Sequence, residues 1–288
     1  MEKKRERVFS RGTADCPFQR YRMQRSRPGG SFANIHWHPE AEILYMREGS
    51  VEVLVGKQTL LLRPGQIAFI HPGELHAIQN GAQPSYYDAF VYSLELLTLP
   101  DAHFFQQEIL VPFQSGIKRF PTVLEPDAPG YGEVAEALDA VCAEEVDSAR
   151  YKRAVFASLL RIFLTLEGQL VPVPADPLGK NNDTLKKCLR YMGAHLAEPL
   201  TLEDIAGQVH LHPNYLCALF KDYTGQTVFQ HLIRMRVDRA AELLRTQSIC
   251  VADAAAACGF ESPGFFAKKF KALMGTSPKA YSLQYRNK

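Results

Sequence analysis

Two stretches in the C-terminal half of the chain repeat one another: YLCALFKDYTG (215–225) and FFAKKFKALMG (265–275). Aligned 50 residues apart, they share Tyr215/Phe265, Phe220/Phe270, Lys221/Lys271 and Gly225/Gly275. Each follows a short helical run ending in a small turn, LEDIAGQVHLHPN in one case and VADAAAACGFESPG in the other. Self-similarity at such a period marks duplicated supersecondary units, and helix, short turn, helix is the helix-turn-helix. A small residue in the first helix (Ala206, Ala255) lets the second cross closely. Gly259 suits a turn with positive φ. Pro213 and Pro263 fit the first turn of a helix, where a missing N–H costs nothing. Tyr215, Leu216 and Phe220, like Phe265, Phe266 and Phe270, form a stripe expected to face inward. The residues between them face outward and can enter a major groove.

Between the two units, TVFQHLIRMRVDRAAELLRTQ (227–247) places Phe229, Leu232, Ile233, Ala240, Leu243 and Leu244 on one face of a long helix. Arg234, Arg236 and Arg239 lie largely elsewhere, available to phosphates or to acidic partners. Charge is uneven along the chain. From residue 180 onward there are 15 Lys and Arg against 9 Asp and Glu, and before it 18 against 22. Such asymmetry suits one half meeting a polyanion.

Residues 184–288 resemble the DNA-binding domain of the AraC/XylS family of bacterial transcription regulators. LEDIA, the YLxxLFKxxxG block, Arg236 with AAELL, and GFxSxxFFxKxFKxxxGxSPxxY carry the resemblance. The resemblance implies two recognition helices, near 213–223 and 263–273, in successive major-groove segments of double-stranded DNA. In the second unit Ser262, Pro263, Gly264, Ala267 and Lys268 become the residues nearest the bases, and Lys268 can donate to guanine. Lys271 and, in the first unit, Lys221 suit phosphate. The first unit departs from the pattern. Pro213, Asn214, Cys217 and Ala218 hold its outward positions, with Ala218 where a basic residue is usual and His212 where a capping serine is usual. Asn214 can read adenine, and Ala218 can touch a thymine methyl.

The N-terminal half has a different period. SVEVLV (50–55), TLLL (59–62), QIAFI (66–70) and YYDAFVY (86–92) are short β-rich runs broken by Gly- and Pro-containing turns. They resemble a cupin barrel. Gly30, His36, His38, Glu42 and Gly49 match the first cupin signature at every spacing. Gly65, Gly73, His76 and Asn80 match most of the second, with His71 where a proline is usual. His36, His38 and Glu42 are even numbers apart, so on a strand they share a face. With His76 they form a three-histidine, one-carboxylate set suited to a divalent metal. The same set can instead hydrogen-bond a polar effector, with Leu44 and Met46 supplying apolar wall, or can be satisfied core polar groups. The resemblance implies an effector pocket in which no cofactor is required, and leaves the divalent metal as an alternative.

Near residue 131 the period turns helical, predicting amphipathic helices over 131–146 and 148–167. VPVPADPLGKNND (171–183) reads as an interdomain linker. The expected organisation is a multidomain α+β chain. It comprises a polar arm (1–30), a cupin-like effector-binding barrel (31–125), a helical pair suited to dimerisation (126–170), the linker, and an all-α domain with two helix-turn-helix units (184–288). With 46% hydrophobic and 22% charged residues, six scattered cysteines and no apolar leader, the chain reads as a cytoplasmic protein with reduced thiols. No run is long enough to span a bilayer. The leading expectation is a non-enzymatic regulator, activating metabolic genes in response to a sugar or sugar acid. By resemblance it acts as a homodimer and engages RNA polymerase. The competing expectation is a cupin metalloenzyme with an accessory helical domain.

Overall fold

The structure is a computed structural model that describes residues 16–25, 31–80, 83–99, 102–146, 148–173, 179–247 and 249–286. Gly30 of the first cupin signature, the arm up to residue 15, and 174–178 of the expected linker lie outside these residues.

Among the described residues the N-terminal domain opens with eight strands: β1 (Phe18–Arg25), β2 (Ser31–His36), β3 (Ala41–Glu48), β4 (Val51–Val55), β5 (Gln58–Leu62), β6 (Ile67–Ile70), β7 (His76–Asn80) and β8 (Ser85–Tyr92). A π-helical turn (Phe105–Leu110) runs into α1 (Val111–Gln114), followed by the short strands β9 (Lys118–Arg119) and β10 (Val123–Leu124). The expected strands are present. Their arrangement is two antiparallel sheets face to face, in the order β1-β8-β3-β6-β10 and β2-β7-β4-β5. Among the described residues no hydrogen-bonded strand pair joins the sheets, so the domain has the cupin-like β class without a closed barrel. Leu44, Met46, Val51, Val53, Ile70 and Ile78 fill the space between them, as the period-2 alternation requires. Part of the expected arm is strand: β1 pairs with β8 along its whole length. FQRYRMQR carries too few apolar residues to stand out from a polar arm, because Tyr21 and Arg22 of this edge strand face solvent.

The outer face of the larger sheet is covered by α2 (Tyr131–Ala143) and α3 (Ala149–Thr165), the two helices expected from periodicity. Val134, Leu138, Val155, Leu159 and Phe163 pack there against Ile43, Phe69 and Phe90. The buried Asp88 carboxylate ties this layer together. It accepts from Arg20 at 3.1 Å and from Arg47 at 2.9 Å, and Arg47 also donates to Asp139 of α2 at 2.6 Å.

After a two-residue strand, β11 (Val171–Pro172), paired with β9, the chain is helical. The elements are α4 (Gly179–Ala194), α5 (Leu202–Gly207), α6 (Pro213–Thr224), α7 (Val228–Thr246), α8 (Val251–Ala257), α9 (Pro263–Met274) and α10 (Pro278–Arg286). α4 thus begins inside the expected linker. Caps explain why these boundaries fall where they do. Thr201 with Asp204, and Thr227 with Gln230, form capping boxes at α5 and α7. Gly225 and Gly275 close α6 and α9 in the left-handed conformation.

The smaller sheet has an apolar outer face too. Ile35, Leu75 and Ala77, with Trp37 and Leu54, pack against Leu185, Leu189 and Met192 of α4 and against Leu219 and Tyr223 of α6. The N-terminal domain is therefore held between its own helical pair on one side and the first helix-turn-helix unit on the other.

Candidate functional site

The two helix-turn-helix units are α5–α6 and α8–α9. Their turns are built alike. Leu211 N–H donates to Ala206 O at 3.1 Å, and Phe260 N–H donates to Ala255 O at 3.0 Å. The residue before each is left-handed: His210 at φ 54° and Gly259 at φ 76°. The second turn is one residue longer, with Glu261-Ser262 where the first has His212 alone. That extra residue supplies a hydroxyl cap, Ser262 Oγ accepting from Phe265 N–H at 3.3 Å, while in the first unit His212 Nδ1 accepts from Asn214 N–H at 3.3 Å. A neutral imidazole acceptor does the work of the missing serine.

Asn214, Ala218 and Lys221 on α6 are exposed, with Pro213 and Cys217 half-buried; on and before α9, Ser262, Pro263, Gly264, Ala267, Lys268 and Lys271 are all exposed. Leu216, Phe220, Phe266 and Phe270 face the core as expected. Tyr215 and Phe265 do not. They stand exposed at the third position of each recognition helix, at 53% and 44% of full exposure. Periodicity assigned them inward because an aromatic is usually core, although a residue adjoining a buried neighbour can fall on either side of the boundary. Phe229 of α7 is likewise exposed.

Arg236, expected at phosphate, is turned inward. Its Nε donates to Leu196 O at 2.8 Å and its Nη2 to Glu198 O at 2.7 Å. The guanidinium also lies against Gly259, so Arg236 ties α7 to the α4–α5 connection. Arg234 is buried and paired with Asp238 at 3.0 Å. Arg239 is exposed and paired with Glu242.

In the N-terminal domain His36 closes β2, His76 opens β7 opposite it, and Glu42 lies on β3 of the other sheet. His38 follows β2. The nitrogen donor atoms of His36, His38 and His76 lie within 4.8 Å of one another. Glu42 Oε2 is 3.1 Å from His38 Nε2 and 3.3 Å from His76 Nε2. Each histidine is held by its other nitrogen. Nδ1–H donates to Asn34 O at 2.7 Å from His36, to Glu40 O at 3.0 Å from His38, and to Glu74 O at 2.8 Å from His76. A carbonyl can only accept, so Nδ1 carries the proton and the Nε2 lone pairs are left to converge beside a carboxylate. His76 Nε2 is buried without a hydrogen-bond partner.

Four such acceptors need a cation or protons among them. Backbone carbonyls behind every imidazole are also the arrangement that orients histidine toward a metal. The cluster therefore fits a divalent metal through His36, His38, His76 and Glu42. Burial opposes the Glu42 charge, but the close approach of His38 and His76 outweighs it and holds the carboxyl well below its ordinary range. Burial, reinforced by His76, holds the His36 imidazole neutral far below its ordinary pKa.

Leu44 and Met46 share the inward parity and are fully buried between the sheets, and neither lines the cavity beside Glu42. The cavity beside Glu42 is bounded by His71, Glu74, Phe113, Arg119 and Phe120, none of them named by the cupin spacing as ligand-facing. His71 stacks on Phe113 at 4.1 Å, and its Nε2 is buried without a partner. Burial pushes its pKa down to about 4. Arg119 lies 3.5 Å from Glu74. The substitution of His71 for the usual proline was the one signal in the sequence.

Residues 20–103 match the family model described as an AraC-like ligand binding domain, and residues 205–284 match a helix-turn-helix domain model. The regulatory protein PocR of Salmonella typhimurium is 38% identical over 113 residues, 39% of this chain and 35% of PocR. The HTH-type transcriptional activator RhaR of Pectobacterium atrosepticum is 29% identical over 158 residues, 55% of this chain and 56% of RhaR. The match thus spans about a third of PocR and just over half of RhaR. The HTH-type transcriptional regulator YfiF of Bacillus subtilis is 25% identical over 88% of this chain and 80% of its own. Apo ToxT from Vibrio cholerae shares the fold, with a TM-score of 0.53 over 93% of this chain and 97% of its own at 12% identity. A ligand-binding domain of this type, docked on paired helix-turn-helix units, has one reading: the chain belongs to the AraC family of transcription regulators.

Proposed function

We propose that this protein is a ligand-responsive, sequence-specific DNA-binding regulator rather than an enzyme. The observation that carries the reading is the join of two recognition helices, capped alike and exposed at matched positions, to a domain with a buried polar cluster. Asn214, Ala218, Lys268 and the exposed aromatics Tyr215 and Phe265 meet bases, while Lys221 and Lys271 meet phosphates. An effector entering beside Glu42 shifts the placement of the domains, and with it the DNA sites occupied.

The finer reading is an activator of metabolic genes, in the cytoplasm, with RNA polymerase as a further partner. A matched relative is named an activator. No helix among the described residues is long and apolar enough to cross a membrane. Glu42, the histidines and Arg119 suit the hydroxyls and carboxylate of a sugar or sugar acid. A homodimer is supported by α3, where Phe156 and Leu164 are exposed and Leu160 lies between them on the same helical face.

The converging Nε2 atoms favour a bound divalent metal as part of the sensor. When bound, it would supply a Lewis-acidic point for a ligand oxygen. The metalloenzyme alternative draws on the same geometry and predicts turnover abolished by His36→Ala.

Salt-sensitive binding to a specific promoter fragment tests the regulator, with Lys268→Ala weakening it. Finding no specific site in any neighbouring promoter region, with or without cell extract, would sink the reading. Elemental analysis of protein purified without a metal-affinity step tests the metal. A thermal-shift screen of sugars, sugar acids and metals tests the effector class.

A further inference from the structure

Strand β2 and the two residues after it carry two histidines of the buried cluster and part of the contact with the helical domain. His36 and His38 face the cluster. Trp37, between them, faces the other way and lies under the cations of α4, with Arg190 Cζ 5.3 Å and Lys186 Nζ 5.6 Å from its ring centre. Ile35 packs into the same apolar contact.

One step earlier the strand is bulged. Ala33 pairs with Ile78 and His36 with His76, so Asn34 and Ile35 together stand opposite Ala77. A bulge turns one extra residue to the wrong face for its parity. Asn34 is that residue, and its Nδ2 donates to Asp238 of α7 at 2.9 Å. Its own carbonyl is the acceptor that holds His36 Nδ1–H at 2.7 Å. Asp238 in turn holds the buried Arg234. A continuous path of short polar contacts therefore runs from the His36 imidazole, through one residue of β2, to the helix that joins the two helix-turn-helix units.

We propose that β2 couples the occupancy of the cluster to the placement of the DNA-binding domain, with Asn34 and Trp37 as the coupling residues. The proposal rests on reading the cluster as a ligand site. A ligand that draws in His36 Nε2 rotates the imidazole about its Nδ1 anchor. The Asn34 peptide follows, and the Asn34 side chain and Trp37 carry that movement to α7 and α4. Coupling of this kind is reciprocal, so a change at α7 must be felt at the histidines without any ligand present.

That reciprocity gives a test needing no effector. The side-chain nitrogens of the nine histidines are followed by NMR in the full chain. Asp238→Ala is expected to shift the His36 resonances. Asp238→Asn keeps an acceptor for Asn34 and restores them. Arg239→Ala, one residue along the same helix, leaves them in place. Unmoved His36 signals in folded Asp238→Ala overturn the proposal whatever the cluster binds.

The second arm uses Zn2+ alone as the probe. Zn2+ binding is expected to slow amide exchange in 185–192 and 234–238. Asn34→Ala and Trp37→Ala abolish that slowing while Zn2+ still binds. Asp238→Ala changes the Zn2+ affinity about five-fold or more. Zn2+ that binds without altering exchange in either helix overturns the proposal. If Zn2+ does not bind at all, the metal reading fails and the first arm still decides the coupling.

Discussion

Tyr215 and Phe265 occupy the same place, 50 residues apart, in the two recognition helices, and both project from the surface beside a neighbour that is fully buried. An aromatic at the start of a helix that enters a groove can press on a thymine methyl or a sugar. Tyr215→Ala and Phe265→Ala are each expected to weaken binding to a specific duplex about ten-fold, or ~1.4 kcal/mol. Folding stability should stay within about 0.5 kcal/mol of wild type. Fluorescence anisotropy and thermal melts check the two halves; unchanged affinity would mean that the helix starts do not face DNA.

Lys221 and Lys271 are matched in the same way, in the last turns of α6 and α9. Both are exposed. Replacing either with alanine should weaken binding to all sequences alike and lower the slope of log affinity against log salt by about 1. Lys268→Ala should instead relax preference at one base pair. Salt titrations on matched and mismatched duplexes separate the two behaviours.

Opposite signs are expected at His210 and Gly259, which hold the same left-handed turn position in the two units. A Cβ on Gly259 would lie 2.6 Å from Leu196 O and 3.0 Å from the Arg236 guanidinium, so Gly259→Ala should destabilise by about 1–3 kcal/mol. His210 already bears the cost of a side chain at φ 54°. His210→Gly should therefore stabilise, by up to about 1 kcal/mol. Denaturant melts of both variants check the sign as well as the size.

Acid should unfold the protein early. Burial pushes the pKa of His71 and of His231 down to about 4, and holds His36 neutral as well. The unfolded chain takes up these protons near 6.5 and the folded protein does not, so stability falls as pH drops from about 6.5 toward 4. Loss then continues below the ordinary carboxylate range as Glu42 is protonated. His231 Nδ1 is buried without a partner, against Phe220. His231→Leu should raise the melting temperature at pH 5 more than at pH 8; an equal effect at both would rule out the titration.

The parts of this architecture written in short-range pattern were legible from sequence. The duplicated units declare themselves because their core aromatics, their leading prolines and their closing glycines recur at one offset. His36, His38 and Glu42 declare themselves because a strand converts even spacing into a shared face. Features that depend on contacts between distant segments were not legible. His71, Phe113 and Arg119 meet at one cavity only because the segment after α1 returns to the edge of β6. Arg236 reads as a free cation until the α4–α5 connection brings two carbonyls to it. Asn34 breaks its strand's parity through a bulge that no local pattern announces. β1 hides because an edge strand with a wet face has almost no hydrophobic signature.

The helix α7 joins the two helix-turn-helix units and runs uninterrupted for 19 residues. At ~1.5 Å per residue it is about 28 Å long, not far short of the ~34 Å helical repeat of duplex DNA. Under the proposed function, α7 spaces the two reading heads as a ruler cut in peptide units. Each residue turns an α-helix by about 100°. Adding one residue to α7 would leave both heads folded and swing one of them off the face of the duplex that the other reads. Under the proposed function, the phase of the recognised sequence is thereby encoded in the length of α7.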